Sequence, residues 1–170
     1  MTVTSGSLDF NHQIDLGGNT LNISGNANIN HSTISGGAIV SSGLLGTGGS
    51  STIAGDLTAT GSLVIDLGAG ETDVFHVAGS ADLSGILDVV VEPEFRPTGS
   101  YTVLTAAGGL NADGLLLDAS DATIFTLTVV GNNLVLSVPE PRCLILAILG
   151  FFAQHGVLVR SGRRKSQHDA

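Results

Sequence analysis

The residues with the clearest potential for chemistry lie in one acidic, glycine-containing stretch. Asp66, Glu71 and Asp73 surround Gly68 and Gly70 within eight residues. Carboxylates on a glycine turn could fold around Ca²⁺, which takes several oxygen ligands. The stretch matches neither an EF-hand loop nor a Gly-Gly-x-Gly-x-Asp repeat. A solvated acidic turn between two strands is therefore the favoured interpretation, with a calcium site as the alternative and no other metal or cofactor expected.

Familiar catalytic motifs are missing from the sequence. The glycine-rich stretch 43–51 lacks the lysine of a phosphate-binding loop, and no serine lies in a Gly-x-Ser-x-Gly motif. His12, His31 and His76 lie too far apart in the chain for a local metal-ligand motif. A pair of carboxylates for glycoside hydrolysis stays open, because such a pair is formed in space. We predict a protein that is not an enzyme and has no catalytic residues.

The charge balance excludes one large class of partners. Residues 1–138 carry thirteen acidic side chains and one basic side chain, Arg96, for a net charge of −12. Proteins that bind DNA or RNA contact phosphates through Lys and Arg, so nucleic acid is not expected as a partner. The single cysteine, Cys143, excludes a disulfide framework and a cysteine-based metal site.

Short stretches of alternating apolar and polar residues run along most of the chain. The clearest stretches are 21–23, 63–65, 87–91, 101–104 and 125–129. Alternation with period two, bounded by Gly and Asn, is typical of β-strands. No segment before Pro139 has the pattern of an ordinary helix, so the sequence predicts an all-β body.

A repeated pattern indicates how these strands are arranged. Similar segments begin at Ile23, Ile53 and Val77, separated by 30 and 24 residues. Units of this length are typical of repeat proteins in which each unit packs on its neighbours. Six Phe and one Tyr in the whole chain are few for a sandwich core. We predict a β-solenoid similar to a right-handed parallel β-helix, with a β-sandwich built from residues 62–138 as the alternative.

The predicted body has two parts. Residues 1–60 are expected to form solenoid coils that are truncated at the N-terminal end, and residues 61–138 the terminal coils and a cap. Segments 73–89 and 95–106 resemble the endings of autotransporter-like, β-helical surface proteins, and this resemblance implies the same cap role. A cap suits this position because the end of a stack exposes strand edges.

The C-terminal tail, 139–170, has three consecutive parts. These are Pro139-Glu140-Pro141, the apolar run 143–159, and the basic end 160–165 with Arg160, Arg163, Arg164 and Lys165. As a helix the 17-residue run would rise about 25 Å, close to the roughly 30 Å of a bilayer core. Four of the six Lys and Arg residues follow it, which by the positive-inside rule keeps that end cytoplasmic. We predict a single transmembrane helix and a membrane as partner.

This three-part order resembles the PEP-CTERM sorting signal of exported bacterial proteins. In that family an exosortase, a membrane-embedded cysteine-dependent transpeptidase, recognises the Pro-Glu-Pro motif. It removes the apolar run and passes the protein to the cell surface or extracellular matrix. The resemblance implies that Pro139, Glu140 and Pro141 are the sorting motif, that the basic cluster sets membrane topology, and that an exosortase is a partner. It covers about a fifth of the chain.

The start of the chain bears on this expectation. Residues 1–13 contain no basic region followed by an apolar region, which a signal peptide requires. We therefore expect the chain to be the C-terminal portion of a longer protein.

The predicted function is that of a non-enzymatic protein of the cell envelope, exported to the cell surface or extracellular matrix and cleaved by an exosortase. One alternative is an enzyme acting on a surface polysaccharide, which would make polysaccharide a partner. The other is an adhesin or ice-binding module. A ladder of Thr or Ser on one flat face would favour that module, and its candidates are Thr52, Thr58 and Thr60.

Overall fold

A computed structural model describes residues 1–4, 7–10, 12–118 and 121–139 of the chain. Nearly all of these residues lie in short strands or in the tight turns between them. The strands are β1 (Thr2–Val3), β2 (Ser7–Phe10), β3 (Gln13–Asp15), β4 (Leu21–Ile23), β5 (Asn26–Ile29), β6 (Thr33–Ser35), β7 (Ile39–Ser41), β8 (Leu44–Gly46), β9 (Ser50–Ile53), β10 (Leu57–Ala59), β11 (Ser62–Leu67), β12 (Val74–Val77), β13 (Ala81–Leu83), β14 (Ile86–Val91), β15 (Ser100–Ala106), β16 (Leu110–Asn111), β17 (Leu116–Leu117), β18 (Thr126–Val130) and β19 (Asn133–Ser137). One 3-10 turn, Asp121–Thr123, lies between β17 and β18.

The strands assemble into three sheets, in which β1 to β17 are distributed as every third strand and β18 and β19 both join the third sheet. Sheet A has the order β1-β4-β7-β10-β13-β16, sheet B the order β17-β14-β11-β8-β5-β2, and sheet C the order β18-β19-β15-β12-β9-β6-β3. We call each passage through sheets A, B and C a rung: β1–β3, β4–β6, β7–β9, β10–β12 and β13–β15 form rungs 1 to 5. Neighbouring strands of a sheet lie about 4.8 Å apart, so equivalent residues of successive rungs stack on one another.

The strands form because apolar and polar residues alternate along them. In β10, Leu57 and Ala59 are buried while Thr58 between them is partly exposed. The same pattern recurs in β13 around the exposed Asp82. Because side chains of a strand point alternately to its two faces, strands such as β10 and β13 give one face to the interior and the other to solvent. The register keeps inward positions aligned: Leu57 pairs with Ile39 of β7 on one side and with the first residue of β13 on the other.

The interior is built from aliphatic layers. In sheet C, Ile34, Ile53 and Val77 occupy the same inward position in three successive rungs, and all three are buried. The few polar side chains inside have hydrogen-bond partners. The hydroxyls of Thr47 and Ser51 lie 2.8 Å apart, and both contact the carbonyl oxygen of Ile29. These contacts compensate the cost of removing the hydroxyls from water.

The true repeat is shorter than the sequence pattern suggests. Leu21, Ile39 and Leu57 pair in register across sheet A, which gives a spacing of 18 residues. Ile53 and Val77 do pair, in sheet C. Ile23 lies instead in sheet A, so its 30-residue offset to Ile53 does not relate equivalent positions. Insertions after β11 and β14 lengthen the later rungs and conceal the basic period.

Sheet C ends in an antiparallel element. β15, the last strand of rung 5, pairs antiparallel with β19, and β19 pairs antiparallel with β18. Leu134 and Leu136 of β19 are buried against the core. The free side of β18 is then the outer edge of the sheet.

The fold-class prediction is wrong. Among the described residues, Asp121–Thr123 is the one helical element, and no helix is long and apolar enough to cross a membrane. The predicted helix over 143–159 lies outside the described residues. A uniform right-handed solenoid also fails to account for the antiparallel strands of sheet C. The β-sandwich alternative fails because the strands of 62–117 extend, in parallel, sheets begun by residues 1–61.

Residues Met1–Pro139 form one compact unit, to which Glu140–Ala170 do not belong. Both predicted parts of the body, 1–60 and 61–138, belong to the first unit, and all three sheets continue from one part into the other. The predicted tail, 139–170, begins at the last residue of this unit.

Candidate functional site

The acidic stretch proposed as a calcium candidate forms a loop between β11 and β12. A bridge between Leu67 and Thr72 closes the loop. Asp73 is 3% exposed, and its Oδ2 accepts a hydrogen bond from the backbone N–H of Asp66 at 2.8 Å. Its Oδ1 accepts a second hydrogen bond from the backbone N–H of Gly49. The Asp73 carboxylate thus binds the backbone of two strand ends.

Burial and like charges act on the acids of this loop. Burial raises the pKa of Asp73, although the hydrogen bonds from Asp66 and Gly49 oppose the rise. The pKa of Asp66 is also raised, first by partial burial and then by the negative charges of Glu92 and Asp88. Negative charge therefore accumulates on this part of sheet B.

The predicted calcium ligands do not assemble into a metal site. Within the part of the chain that the structure describes, no group of three or more His, Cys, Asp or Glu side chains could hold a metal ion. Glu71 instead lies beside His31, with 3.8 Å between Oε2 and Nε2. The Asp73 side chain therefore contacts Asp66 at its backbone N–H, whereas the Glu71 side chain lies beside His31.

An open groove lies on the outer face of sheet B, next to this loop. The sheet B groove, as we call it, crosses rungs 2 to 4 and has a volume of about 590 Å³. Small-molecule sites commonly span about 300–1,000 Å³. Its lining is mainly polar and consists of Asn28, Asn30, His31, Gly46, Thr47, Gly48, Val64 and Asp66.

Two glycines of rung 3 create the groove. A Cβ atom at Gly46 would lie 2.4 Å from Oδ1 of Asn28, and one at Gly48 would lie 2.8 Å from Oδ1 of Asn30. Because neither glycine has a side chain, rung 3 is recessed between its neighbours. Asn28 pairs with Gly46 in β8, and Gly46 pairs with Val64 in β11. The carboxamide of Asn28 therefore lies on one side of the recess, and Val64 lies on the other side.

His31 closes one end of the sheet B groove in an unusual backbone conformation. Its φ is +46°, in the left-handed region that residues other than glycine seldom adopt, although His does so more readily than most. The backbone N–H of His31 donates to the carbonyl oxygen of Gly48 at 3.1 Å. The ring is exposed and lies over Gly49, where a Cβ atom would come within 2.2 Å of its Cε1.

A second, more apolar cleft of about 310 Å³ lies on sheet C. His76 and Thr105 occupy paired positions there, with 3.0 Å between Nδ1 and Oγ1. Thr52 pairs with His76 on the other side. The proposed threonine ladder does not form, because Thr52 lies in sheet C while Thr58 lies in sheet A.

Sequence reasoning missed the groove and one buried acid. Asp121 is 7% exposed and its Oδ2 accepts a hydrogen bond from the backbone N–H of Val89 at 2.8 Å. Burial raises its pKa, with smaller contributions from the charges of Asp88 and Asp118. Its neighbours in the chain give no sign that this aspartate is buried. The groove had a sequence signal, the alternating Gly46 and Gly48 within the glycine-rich stretch 43–51.

The residues of the predicted sorting signal lie almost entirely outside the described residues. Pro139 is the last described residue and is exposed. Glu140 and Pro141 lie beyond it, as does the basic cluster Arg160, Arg163, Arg164 and Lys165. Their roles stay predictions based on the sequence.

Comparisons with protein-family models, with curated proteins and with solved structures find no match to this chain.

Proposed function

We propose that this chain is a non-enzymatic, exported protein of the cell surface or extracellular matrix, sorted through a PEP-CTERM signal. One observation carries the proposal. The compact unit ends at Pro139, which is the first residue of the Pro-Glu-Pro motif. Cleavage by an exosortase near this motif would separate the tail from a body that keeps all the strands of its three sheets.

The charge of the body supports delivery outside the cell. Thirteen acidic side chains and one arginine in residues 1–138 keep the body soluble and repel it from polyanions. The tail carries the opposite bias, since four of the six basic residues of the chain follow the apolar run. A hydrophobic core made of stacked rungs gives such a body a stable surface for display.

The test follows cleavage in cells. The full chain, placed behind a signal peptide, is produced in a bacterium that has an exosortase and in a strain from which the exosortase is deleted. We expect the first strain to release a shortened protein whose mass corresponds to cleavage near Pro139, and the second to retain the uncut chain. Mass spectrometry of the cell and medium fractions measures both products.

A matched pair of variants tests the motif itself. Pro141→Ala changes the Pro-Glu-Pro motif, and we expect it to reduce the released product at least tenfold. Pro93→Ala changes an exposed proline between Glu92 and Glu94, a similar local composition within the body, and should leave release unchanged. Equal release from the wild type and the Pro141→Ala variant, or equal release with and without exosortase, would refute the proposal.

A further inference from the structure

The sheet B groove has a feature that display at the cell surface does not explain. Among the described residues, the Ser32 hydroxyl donates to the backbone carbonyl of Asn30, and neither the Asn28 nor the Asn30 carboxamide has a hydrogen-bond partner. Each carboxamide offers two N–H donors and one oxygen acceptor. Both face a recess that exists because Gly46 and Gly48 lack side chains. The groove therefore presents free donors and acceptors around a space of small-molecule size.

Charge limits what this groove can accept. Asp66 lines it, and Glu71 lies at its His31 end. Asp88 and Glu92 lie near enough to Asp66 to act on its charge. Among the residues that the structure describes, no Lys or Arg lines the groove. An anionic ligand would meet uncompensated repulsion, whereas an uncharged or cationic ligand would not.

The donor and acceptor pattern selects among the remaining ligands. Amide, imidazole and carboxylate groups lie around one recess, and Val64 is the one aliphatic side chain among the described residues that line it. A hydroxyl group both donates and accepts, so a ligand with several hydroxyls can satisfy all three kinds of group at once. An apolar ligand would leave these groups without partners, which carries a cost when they lose water.

We propose that the sheet B groove binds a sugar unit without negative charge, either an uncharged sugar or an amino sugar, within a polysaccharide. Asn28 and Asn30 bind hydroxyls from one wall, and Asp66 accepts from the other. His31 contacts the sugar at the end of the groove. This inference goes beyond the proposed sorting, and it holds or fails independently of where the chain is delivered.

The test uses the full chain labelled with ¹⁵N and three oligosaccharide probes. These are cello-oligosaccharide, which is uncharged, chitosan oligosaccharide, which carries amines, and oligogalacturonate, which carries carboxylates. We expect the backbone amide signals of Gly46 and Gly48 to shift on titration with the first probe, the second, or both. Which of the two binds more tightly identifies the sugar class. Oligogalacturonate should leave these signals unchanged at the same concentrations.

Variants separate the groove from general effects on the fold. Gly46→Ala adds a methyl group to the groove floor where φ is not left-handed, and we expect binding at least tenfold weaker. Asn28→Ala should weaken binding similarly, while Asn22→Ala, at an exposed position of β4 on sheet A, should not. Circular dichroism checks that each variant is folded.

Several outcomes would overturn the inference. One is that no probe shifts the Gly46 and Gly48 signals at millimolar concentration. Others are that oligogalacturonate binds as tightly as the other probes, or that folded Gly46→Ala binds like the wild type. A failed cleavage assay with intact sugar binding would refute the sorting proposal alone, so the two proposals can be judged separately.

Discussion

The Asp73 carboxylate joins two rungs of the stack through the backbone. One of its oxygens accepts from Gly49, just before β9 in rung 3, and the other accepts from Asp66 in β11 of rung 4. Both donors come from strand ends where the loop 68–72 interrupts regular pairing. The buried Asp121 serves Val89 of β14 in a similar way. Buried carboxylates in this chain therefore replace hydrogen bonds that the sheets do not supply.

Replacing Asp73 by asparagine tests this role. Asparagine keeps one acceptor but places an N–H₂ group against the second backbone N–H, which leaves that buried donor without a partner. The cost of an unsatisfied buried donor is about 1–3 kcal/mol. We expect Asp73→Asn to lower the free energy of unfolding by about that amount, as measured by urea denaturation followed by circular dichroism.

Asp88→Asn is the matched control for this experiment. Asp88 is an exposed residue of β14 whose charge adds to the repulsion around Asp66. Its replacement should leave the free energy of unfolding within about 0.5 kcal/mol of the wild type, as for most surface substitutions. A similar loss of stability in both variants would contradict a specific role for the two backbone hydrogen bonds that Asp73 accepts.

Residue types alone could not assign these roles. Asp66, Glu71 and Asp73 were recognised as a cluster because they are close in sequence, and two of them do meet in the structure. Their partners Gly49 and His31 come from earlier rungs. Contacts of this kind depend on the register between rungs, which a single sequence does not display.

At the scale of elements, a column of glycines marks the corner between sheets A and B. Gly43, Gly61 and Gly85 each precede a strand of sheet B. The backbone N–H of Ser62 donates to the carbonyl oxygen of Gly43 at 3.0 Å, and that of Ile86 donates to Gly61 at 3.1 Å. A Cβ atom at Gly61 would lie 2.1 Å from the Gly43 carbonyl oxygen. The corner is thus too tight for any side chain.

Gly61→Ala should therefore destabilise the stack. The methyl group would meet backbone, which cannot move without disturbing rungs 3 and 4. Overpacking of this kind costs about 1–3 kcal/mol. Gly70→Ala is the control, since nothing lies within 4 Å of a Cβ atom there and an alanine in a compatible conformation is neutral or stabilising by about 0.4–1 kcal/mol. Urea denaturation of both variants compares them, and equal stability would contradict a tight corner.

Much of the strand content could be predicted from the sequence, but the assembly of the strands could not. Alternation located parts of β4, β11, β14 and β15, because each strand has one buried face. The three-sheet order depends on an 18-residue period that is visible only in rungs without insertions. The antiparallel pairing of β18 and β19 joins strands whose sequences resemble those of parallel strands, so alternation does not reveal direction.

At the scale of the whole molecule, the raised pKa values of partly buried acids and the negative net charge both make the folded chain less stable as pH rises. Burial raises the pKa of Asp73, Asp121 and Asp66 in the folded chain above the ordinary value of about 3.9. Between that value and the raised pKa, the folded chain binds more protons than the unfolded chain. The free energy of unfolding must then fall as pH rises through this window.

Among the described carboxyl groups, Asp56 acts in the opposite sense. The pKa of Asp56 is lowered by hydrogen bonds from the backbone N–H and hydroxyl of Ser80, so its contribution is lost on acidification. This carboxylate is exposed, and water screens its effect. The raised pKa values of Asp66, Asp73 and Asp121 outweigh the effect of Asp56. The net charge of −12 in residues 1–138 adds to them, because protonation also relieves repulsion across the body.

We therefore expect the full chain to melt at a higher temperature at about pH 4, near the ordinary carboxyl pKa, than at pH 8, the reverse of ordinary acid sensitivity. Thermal denaturation followed by circular dichroism in dilute, low-salt buffer measures this difference. Asp66→Asn removes one carboxyl group whose pKa is raised. It should raise the melting temperature at pH 8 and so reduce the difference in melting temperature between the two pH values. A melting temperature that falls steadily from pH 8 to about pH 4 would mean that hydrogen-bonded carboxylates such as Asp56 control the stability of the stack.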